Sequence, residues 1–219
     1  MAGFFREWQF DRSLGQIVGL DALDPARLPA EYWRLVDNSQ GQLERLEEHR
    51  PDLTRPAIKL LTWEEGRIVE ALDYNPDGSL RLIHQYIYGA DGRMVDRLEF
   101  DGEENSRGHV VSVWDDNGLE VAELAYDANQ RLQSKHTYEY DPQRRLCLAR
   151  YYDAQEKLNG WRQLVYDGQD RVVEKQWYGP DGKLRSRYCQ EFTGDGRVGL
   201  ARLYNGQNEL LSERNFAPV

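Results

Sequence analysis

Aromatic residues recur along this chain at steps that alternate strictly between long and short. The series consists of Trp63, Tyr74, Tyr88, Phe100, Trp114, Tyr126, Tyr140, Tyr152, Tyr166, Tyr178, Phe192 and Tyr204. A long step such as Tyr74 to Tyr88 is followed by a short step such as Tyr88 to Phe100, and this order continues to Tyr204. Chance does not produce such a series, so the chain contains an internal repeat with a period of about 26 residues.

A short turn-forming sequence motif follows most of these aromatic residues. Clear copies occupy residues 74–80, 88–94, 178–184 and 192–198, and degenerate copies occupy 126–132, 140–146, 152–158 and 166–172. Asp or Asn after the aromatic can accept hydrogen bonds from backbone amides of a turn, and Pro presets φ. The motif therefore predicts a hairpin turn at each copy.

One glycine in each clear copy lies where a hairpin loop of three to five residues often needs a positive φ. These glycines are Gly78, Gly92, Gly182 and Gly196. In the degenerate copies the same place is held by Gln130, Arg144, Glu156 or Asp170. Two possibilities follow for those copies: the turn accepts left-handed strain, or it has another geometry.

The segments between turns have the length of β-strands, seven to nine residues. We therefore predict a mainly β fold, an antiparallel meander of about eleven to twelve strands that is strongly twisted or curled. In the segment 132–140 the alternation predicts one buried and one solvated face. The buried face would hold Leu132, Ser134, His136, Tyr138 and Tyr140, and the solvated face Gln133, Lys135, Thr137 and Glu139.

Two regions depart from the repeat. Residues 101–108 are polar, which predicts a longer loop and a strand that begins near His109. Residues 24–36 and 40–49 carry helical spacing, with Leu43 and Leu46 on one face. We expect residues 1–60 to form a small helical cap on the edge of the sheet, and residues 61–219 to form the β-repeat domain.

The repeated motif resembles the YD (RHS) repeats of bacterial Rhs and teneurin-type proteins, from about residue 63 to the end of the chain. It also resembles related repeat proteins that are encoded beside bacterial toxins as their immunity partners. In large Rhs proteins such repeats wind into a shell around a toxin domain. This chain has only about a dozen units and lacks the processing region of those shells. The resemblance therefore implies a free-standing, cytoplasmic protein that neutralises a toxin.

The net charge of −10 disfavours direct nucleic-acid binding and favours a basic partner. Much of the negative charge belongs to aspartates at the starts of turns. No membrane span or secretion signal is visible, so we expect a cytoplasmic location. Cys147 and Cys189 are far apart and are expected to be buried thiols rather than a disulfide or a metal pair.

Motifs of catalysis are missing from the sequence, and we expect a binding protein without cofactor or metal rather than an enzyme. The four histidines form no zinc-binding pattern. His84 and His136 hold equivalent repeat positions, which leaves open a framework role or a paired role in proton transfer or ligand binding. The acidic turn 115–118 suggests calcium, but no Glu closes the loop at the usual spacing.

The predicted binding residues are aromatics outside the repeat framework, Tyr151, Trp161 and Trp177. Strand alternation places them opposite Tyr152, Tyr166 and Tyr178, on a face that also holds the charged residues Lys135, Glu139, Lys175 and Glu191. Exposed aromatics among charges are typical of binding hot spots. The alternative is that a curled sheet or the cap buries them.

Three functional hypotheses follow. The first is an immunity protein that binds and occludes the catalytic domain of a cognate toxin, a basic enzyme acting on nucleic acid or nucleotides, in interbacterial competition of the Rhs or type VI kind. The second is a structural or adhesion-type repeat module, the remnant of a larger Rhs shell. The third is a carbohydrate-binding or enzymatic β-sheet protein.

Overall fold

A computed structural model describes residues 2–11, 16–194 and 196–216, which form strands and turns and no helix. The strands are β1 (Ala2–Asp11), β2 (Gln16–Ala22), β3 (Tyr32–Asp37), β4 (Leu43–His49), β5 (Ala57–Glu64), β6 (Arg67–Tyr74), β7 (Leu80–Tyr88), β8 (Met94–Asp101), β9 (Ser106–Trp114), β10 (Glu120–Asp127), β11 (Leu132–Tyr140), β12 (Leu146–Asp153), β13 (Leu158–Tyr166), β14 (Val172–Tyr178), β15 (Leu184–Phe192), β16 (Val198–Asn205) and β17 (Leu210–Asn215). The predicted mainly β meander is confirmed, with seventeen strands in the described residues rather than eleven or twelve. A helix capable of crossing a membrane is not found in that part of the chain.

The chain divides into two compact units. The first comprises residues 1–111 and 126–130, and the second comprises residues 112–125 and 131–219. In the first unit β1 lies between β2 and β3, and β3 to β9 then pair in chain order. In the second unit β11 to β17 pair in chain order. All these pairings are antiparallel, as hairpin connections require.

One five-residue turn joins most of the strands, and Asp141 shows how it closes. The Asp141 amide donates to the carbonyl of Arg145 at 2.9 Å, and the Arg144 amide donates to the carbonyl of Asp141 at 2.8 Å. The Asp141 Oδ1 atom accepts the amides of Gln143 and Arg145 at 3.0 and 2.9 Å. The predicted role of the turn aspartate is therefore confirmed.

The fourth residue of the turn has a positive φ. The predicted glycines all have it: φ is 88° at Gly78, 81° at Gly92, 77° at Gly182 and 82° at Gly196. The residues that replace glycine have it too: φ is 62° at Gln130, 65° at Arg144, 55° at Glu156 and 61° at Asp170. Of the two possibilities for the degenerate copies, left-handed strain is the one adopted.

The longer loop predicted for residues 101–108 is wrong. The Asp101 amide donates to the carbonyl of Asn105 at 3.0 Å, so residues 101–105 form the common turn, and β9 begins at Ser106. Glu104 takes the positive φ, at 63°. The polar sequence of these residues suggested a loop. The Asp101 Oδ1 atom instead accepts the amides of Glu103 and Asn105, which closes the turn without a glycine at its fourth position.

The helical cap predicted for residues 1–60 is also wrong, since the described residues there form β1 to β5. Residues 38–42 are another copy of the turn, in which the Asn38 amide donates to the Gln42 carbonyl at 2.7 Å and Gly41 has φ of 78°. Asp37 lies one repeat before Trp63 and occupies the aromatic position, which hid the copy. The helix-like spacing of Leu43 and Leu46 fits a strand because the pairing register shifts beside the turn.

The β1–β2 hairpin covers the hydrophobic core of the first unit. β1 pairs with β3 only over Ala2–Phe5 and continues with β2 as its partner. Trp8 and Ile17 of this hairpin pack against the core, and the Trp8 ring meets Trp33 edge-on with centroids 5.8 Å apart. The core consists of Leu35, Leu43, Leu46, Leu61, Ile68 and Ala71. A β-hairpin therefore takes the place of the predicted helical cap.

A nearly buried ion pair lies on the same face of the first unit. Lys59 and Asp73 form a salt bridge, and their side chains are only 12% and 9% exposed. His84 Nε2 lies 3.3 Å from the Asp73 carboxylate, and Lys59 Nζ lies 5.8 Å from the centre of the Trp8 ring. Burial opposes ionisation of Asp73, but the hydrogen bond with His84 and the charge of Lys59 together lower its pKa.

Replacing Glu104 with glycine is expected to raise the free energy of unfolding by ~1 kcal/mol, because a non-glycine residue at positive φ is strained. Gly78→Ala should lower it by ~1 kcal/mol through backbone strain alone, since no atom lies within 4 Å of the added Cβ. Urea unfolding measures both. Glu103→Gly is the matched control, and a gain there equal to that of Glu104→Gly would contradict the account.

Asp73→Ala is expected to lower the free energy of unfolding by ~3 kcal/mol, because it leaves Lys59 buried without a counter-ion. Adding Lys59→Met should recover much of the loss. The exposed pair Asp91–Arg93 provides the control, and Asp91→Ala should cost less than ~1 kcal/mol. Equal losses for Asp73→Ala and Asp91→Ala in chemical unfolding would show that burial of the ion pair is unimportant.

Candidate binding surface

The second unit has no large buried side chain among its described residues. Its buried hydrophobic residues are Ala149 and Ala201, which are 1% and 4% exposed. The first unit, by contrast, buries Leu46, Ile68 and Met94 almost completely. The residues of 132–140 that were predicted to be buried are all half-buried. The second unit is therefore a sheet whose two faces both reach solvent.

The pairing registers assign the predicted binding residues to different faces. Tyr151 pairs with Gly160 and Trp177 pairs with Arg162, two residues further along β13, so Tyr151 and Trp177 share one face. Trp161 lies on the opposite face, where it pairs with Tyr178. The expectation that all three lie together is wrong for Trp161. Counting alternate positions along the sequence gave the wrong face for Trp161, because the pairing register shifts at the aromatic residues of the repeat, beside their turns.

The face that carries Trp161 also carries Glu139 and Glu191, and we call it the ionic face. Glu139 forms an ion pair with Arg150, and Arg202 lies 2.5 Å from Glu191. Trp161 stacks on Tyr178, with ring centroids 5.2 Å apart and planes inclined by 11°. Glu139 and Glu191 are exposed, at 54% and 64%, but each already has a cationic partner. The ionic face is thus largely self-paired.

The opposite face is rich in rings, and we call it the aromatic face. Its members on β11 to β15 include His136, Tyr138, Tyr151, Arg162, Lys175, Trp177 and Tyr188. His136 meets Tyr151 edge-on with centroids 4.9 Å apart, and Lys175 Nζ lies 5.8 Å from the centre of the Tyr188 ring. All seven side chains are half-buried. Small residues, Ala149 and Gly160, lie between the rings.

The basic residue at the end of the turn motif has a structural role in the repeat. Arg145 reaches back to Asp141 at 2.7 Å and lies over the Tyr166 ring, 4.6 Å from its centre. Arg171 does the same with Asp167 and the Phe192 ring. The hydrogen bond from Arg171 holds the pKa of Asp167 below its ordinary value. The prediction that much of the negative charge belongs to aspartates that stabilise turns therefore holds at these turns.

Tyrosine hydroxyls at one set of turns tie hairpins to their neighbours. Tyr88, Tyr140 and Tyr166 donate to the carbonyls of Ile68, Glu120 and Leu146, at 2.6, 2.8 and 2.8 Å. Trp63 Nε1 donates to the carbonyl of Leu43 at 2.6 Å in the same way. Each donor lies 20 residues after its acceptor. The aromatic series thus supplies a hydrogen bond as well as apolar area.

The candidate chemical residues are dispersed. His84 contacts Asp73 and His136 Nδ1 lies 3.6 Å from Glu123, so each histidine has a carboxylate neighbour within its own unit. Asp115, the suggested calcium ligand, accepts the turn amides of Asn117 and Leu119. Within the described ranges no three His, Cys, Asp or Glu side chains cluster to hold a metal ion.

The cysteine prediction needs a correction. Cys147 and Cys189 are free thiols, as expected, but both are half-buried rather than buried. The reason is the absence of a second layer over the strands that carry them: each lies on a face that reaches solvent.

Arg162 is a candidate binding residue that the sequence pattern did not reveal, whereas Lys175 was placed on the face of Trp177 but not counted among the predicted binding residues. Pairing places Arg162 directly opposite Trp177, and Lys175 directly opposite Tyr188. The available signal was the lack of acidic residues at alternate positions of the segments between turns, such as 160, 162 and 164, or 173, 175 and 177. That signal becomes informative only when the register shows which positions of neighbouring strands share a face.

Comparison with known proteins shows a fold and no family. No protein-family model matches the chain, and no curated protein matches it. A porin-like protein from Bacteroides uniformis is similar in structure, with a TM-score of 0.54 and 8% identity over 97% of this chain and 94% of that chain. At that identity the similarity concerns the fold alone.

Two toxin structures match more weakly. The Photorhabdus luminescens Tc holotoxin pore has a TM-score of 0.41 and 12% identity over 84% of this chain. The TcdB2-TccC3-TEV structure has a TM-score of 0.29 and 11% identity over 96% of this chain. The match spans 11% of the first toxin chain and 15% of the second. Similarity at this level establishes neither a common fold nor a common function.

Proposed function

We propose that this chain is a bacterial immunity protein that binds the catalytic domain of a cognate toxin and occludes it. The observation that carries the proposal is the aromatic face of the second unit, where rows of half-exposed rings cover a sheet without large buried side chains. Such a face leaves apolar area in contact with water that a partner could bury. The protein acts by binding, in the cytoplasm, and not by catalysis.

The composition of the aromatic face supports a protein partner. Tyr, Trp and Arg are the residues most enriched in protein–protein hot spots, and Tyr151, Arg162 and Trp177 lie close together on it. Ala149 and Gly160 between them are buried, so the neighbouring rings form the accessible surface there. A folded protein domain suits this surface better than a small ligand, since the face extends across at least five strands.

The distribution of charge supports a toxin domain that is basic overall. The first unit has 22 acidic and 13 basic residues, and the second has 16 and 15. Almost all of the net charge of −10 therefore belongs to the first unit. We propose that this unit accelerates association with a basic enzyme acting on nucleic acid or nucleotides, through long-range attraction.

A structural or adhesion-type repeat module is the second candidate, because β17 favours it. β17 pairs with β16, and its residues are exposed throughout. Leu210, Leu211 and Phe216 are 53%, 60% and 49% exposed, which is unusual for an edge that avoids association. If this candidate is correct, the purified chain self-associates in sedimentation experiments, and binds no toxin.

The proposal is tested by measuring binding to the toxin domain encoded beside the gene. Tyr151→Ala with Trp177→Ala should weaken binding at least ~100-fold, because two aromatic hot-spot residues each contribute about 2 kcal/mol. The matched control on the ionic face, Trp161→Ala with Glu191→Ala, should change it less than about threefold. Titration calorimetry gives both values, and unfolding midpoints show that each variant is folded.

The wild-type chain and the ionic-face control pair should protect cells that express the toxin, and the aromatic-face pair should protect them much less. The account fails if the control pair weakens binding as much as the aromatic pair. It also fails if the wild-type chain binds no toxin domain from its own gene neighbourhood.

A further inference from the structure

Two cations on the aromatic face have no counter-ion among the described residues. Arg162 takes part in no hydrogen bond or salt bridge there, and its Nε atom is buried without a hydrogen-bond partner. The contact of Lys175 on this face is the Tyr188 ring. Most other arginines of the second unit, such as Arg150 and Arg202, have carboxylate partners.

The positions of the two cations make the missing counter-ion significant. Arg162 pairs with Trp177, and Lys175 lies two residues before Trp177, so the two cations are diagonal neighbours across β13 and β14. Like charges in adjacent strands repel, and a buried donor without a partner costs free energy. On the described part of this face of β11 to β16 the acidic residue is Asp153 at the end of β12, and its carboxylate accepts the turn amides of Gln155 and Lys157. Glu123 of β10 lies beside His136 at one side.

The first unit shows how the equivalent face is completed. Ala71 there and Ala149 here lie three repeats apart, so they hold the same position. In the first unit the cation Lys59 is neutralised by Asp73, and the β1–β2 hairpin covers the pair with Trp8. At the position of Asp73 the later repeats carry Tyr151 and Trp177 instead. The second unit thus has the cations and the rings but neither the carboxylate nor the cover.

We propose that the aromatic face binds an acidic segment of a partner protein, one that alternates carboxylates with apolar or aromatic side chains. The segment lies across β12 to β15 as the β1–β2 hairpin lies on the first unit. Its carboxylates meet Arg162 and Lys175, and its apolar side chains pack between Tyr151, Trp177 and Tyr188. The inference rests on the proposed function and specifies the chemistry of the contacting segment.

A polypeptide fits these observations better than a nucleic acid. A site for single-stranded nucleic acid follows the phosphate backbone with a groove of many cations, whereas this face has two unpaired ones. A toxin domain that is basic overall can present a local acidic segment, so the two charge requirements are compatible.

The test uses the intact chain and two synthetic peptides, EWEVEWE and QWQVQWQ. Titration followed by NMR of the tryptophan indole protons should show a shift at Trp177 and little at Trp161. The acidic peptide should bind at least ~10-fold more tightly than the amide peptide, because charge-assisted hydrogen bonds contribute about 1.5–3 kcal/mol each. Arg162→Gln with Lys175→Gln should abolish this preference.

Arg150→Gln with Arg202→Gln removes the same number of cations from the ionic face and should leave the preference intact. Equal binding of both peptides would overturn the inference while leaving toxin binding, measured separately, as the test of the proposed function. A response at Trp161 instead of Trp177 would also overturn it. So would displacement of the acidic peptide by an equimolar single-stranded oligonucleotide, or formation of a dimer through this face.

Discussion

The five-residue turn is the constraint on which the rest of the structure depends. Its two backbone hydrogen bonds and the aspartate that accepts its amides fix where each strand ends and the next begins. The register shift beside the turn then sets which side chains face each other across the ladder. Because the turn recurs at regular spacing along the chain, the same positions meet in every repeat. The fourth residue has a positive φ, which glycine adopts without strain and which strains the backbone at Arg144 or Glu156.

Identical turns nevertheless produce two units with different properties. In the first, aliphatic residues such as Leu46 and Ile68 fill the covered face, and Trp8 of the β1–β2 hairpin packs on it. In the second, the same face carries rings such as Tyr151 and Trp177 together with unpaired cations, and the largest buried hydrophobic residues are alanines. The framework holds the second unit together at its edges through contacts such as Tyr166 to Leu146. Its faces are therefore available for a partner, which is why we propose that this unit binds one.

The sequence was sufficient to predict the strands, the turns and the positive φ at Gly78, because the aromatic series and the turn motif are local. It was insufficient where an unexpected residue occupied one of the positions that define the repeat. Asp37 in an aromatic position concealed a turn, and Glu104 in a glycine position suggested a loop. The grouping of the candidate binding residues on one face was predicted only in part, since Trp161 and Trp177 lie on opposite faces once the register shifts are known. The lack of a counter-ion at Arg162 and Lys175 could not be recognised from one strand, because it depends on the residues of neighbouring strands.

Amide hydrogen exchange on the free protein tests the central claim most directly, namely that the second unit is a sheet without a core of its own. Strands that bury large apolar side chains open only in nearly global unfolding, whereas a sheet with two solvated faces opens locally. The account predicts that amides of β6 and β7 in the first unit exchange at least ~10-fold more slowly than paired amides of β13 to β15. Equal protection in the two units would contradict it.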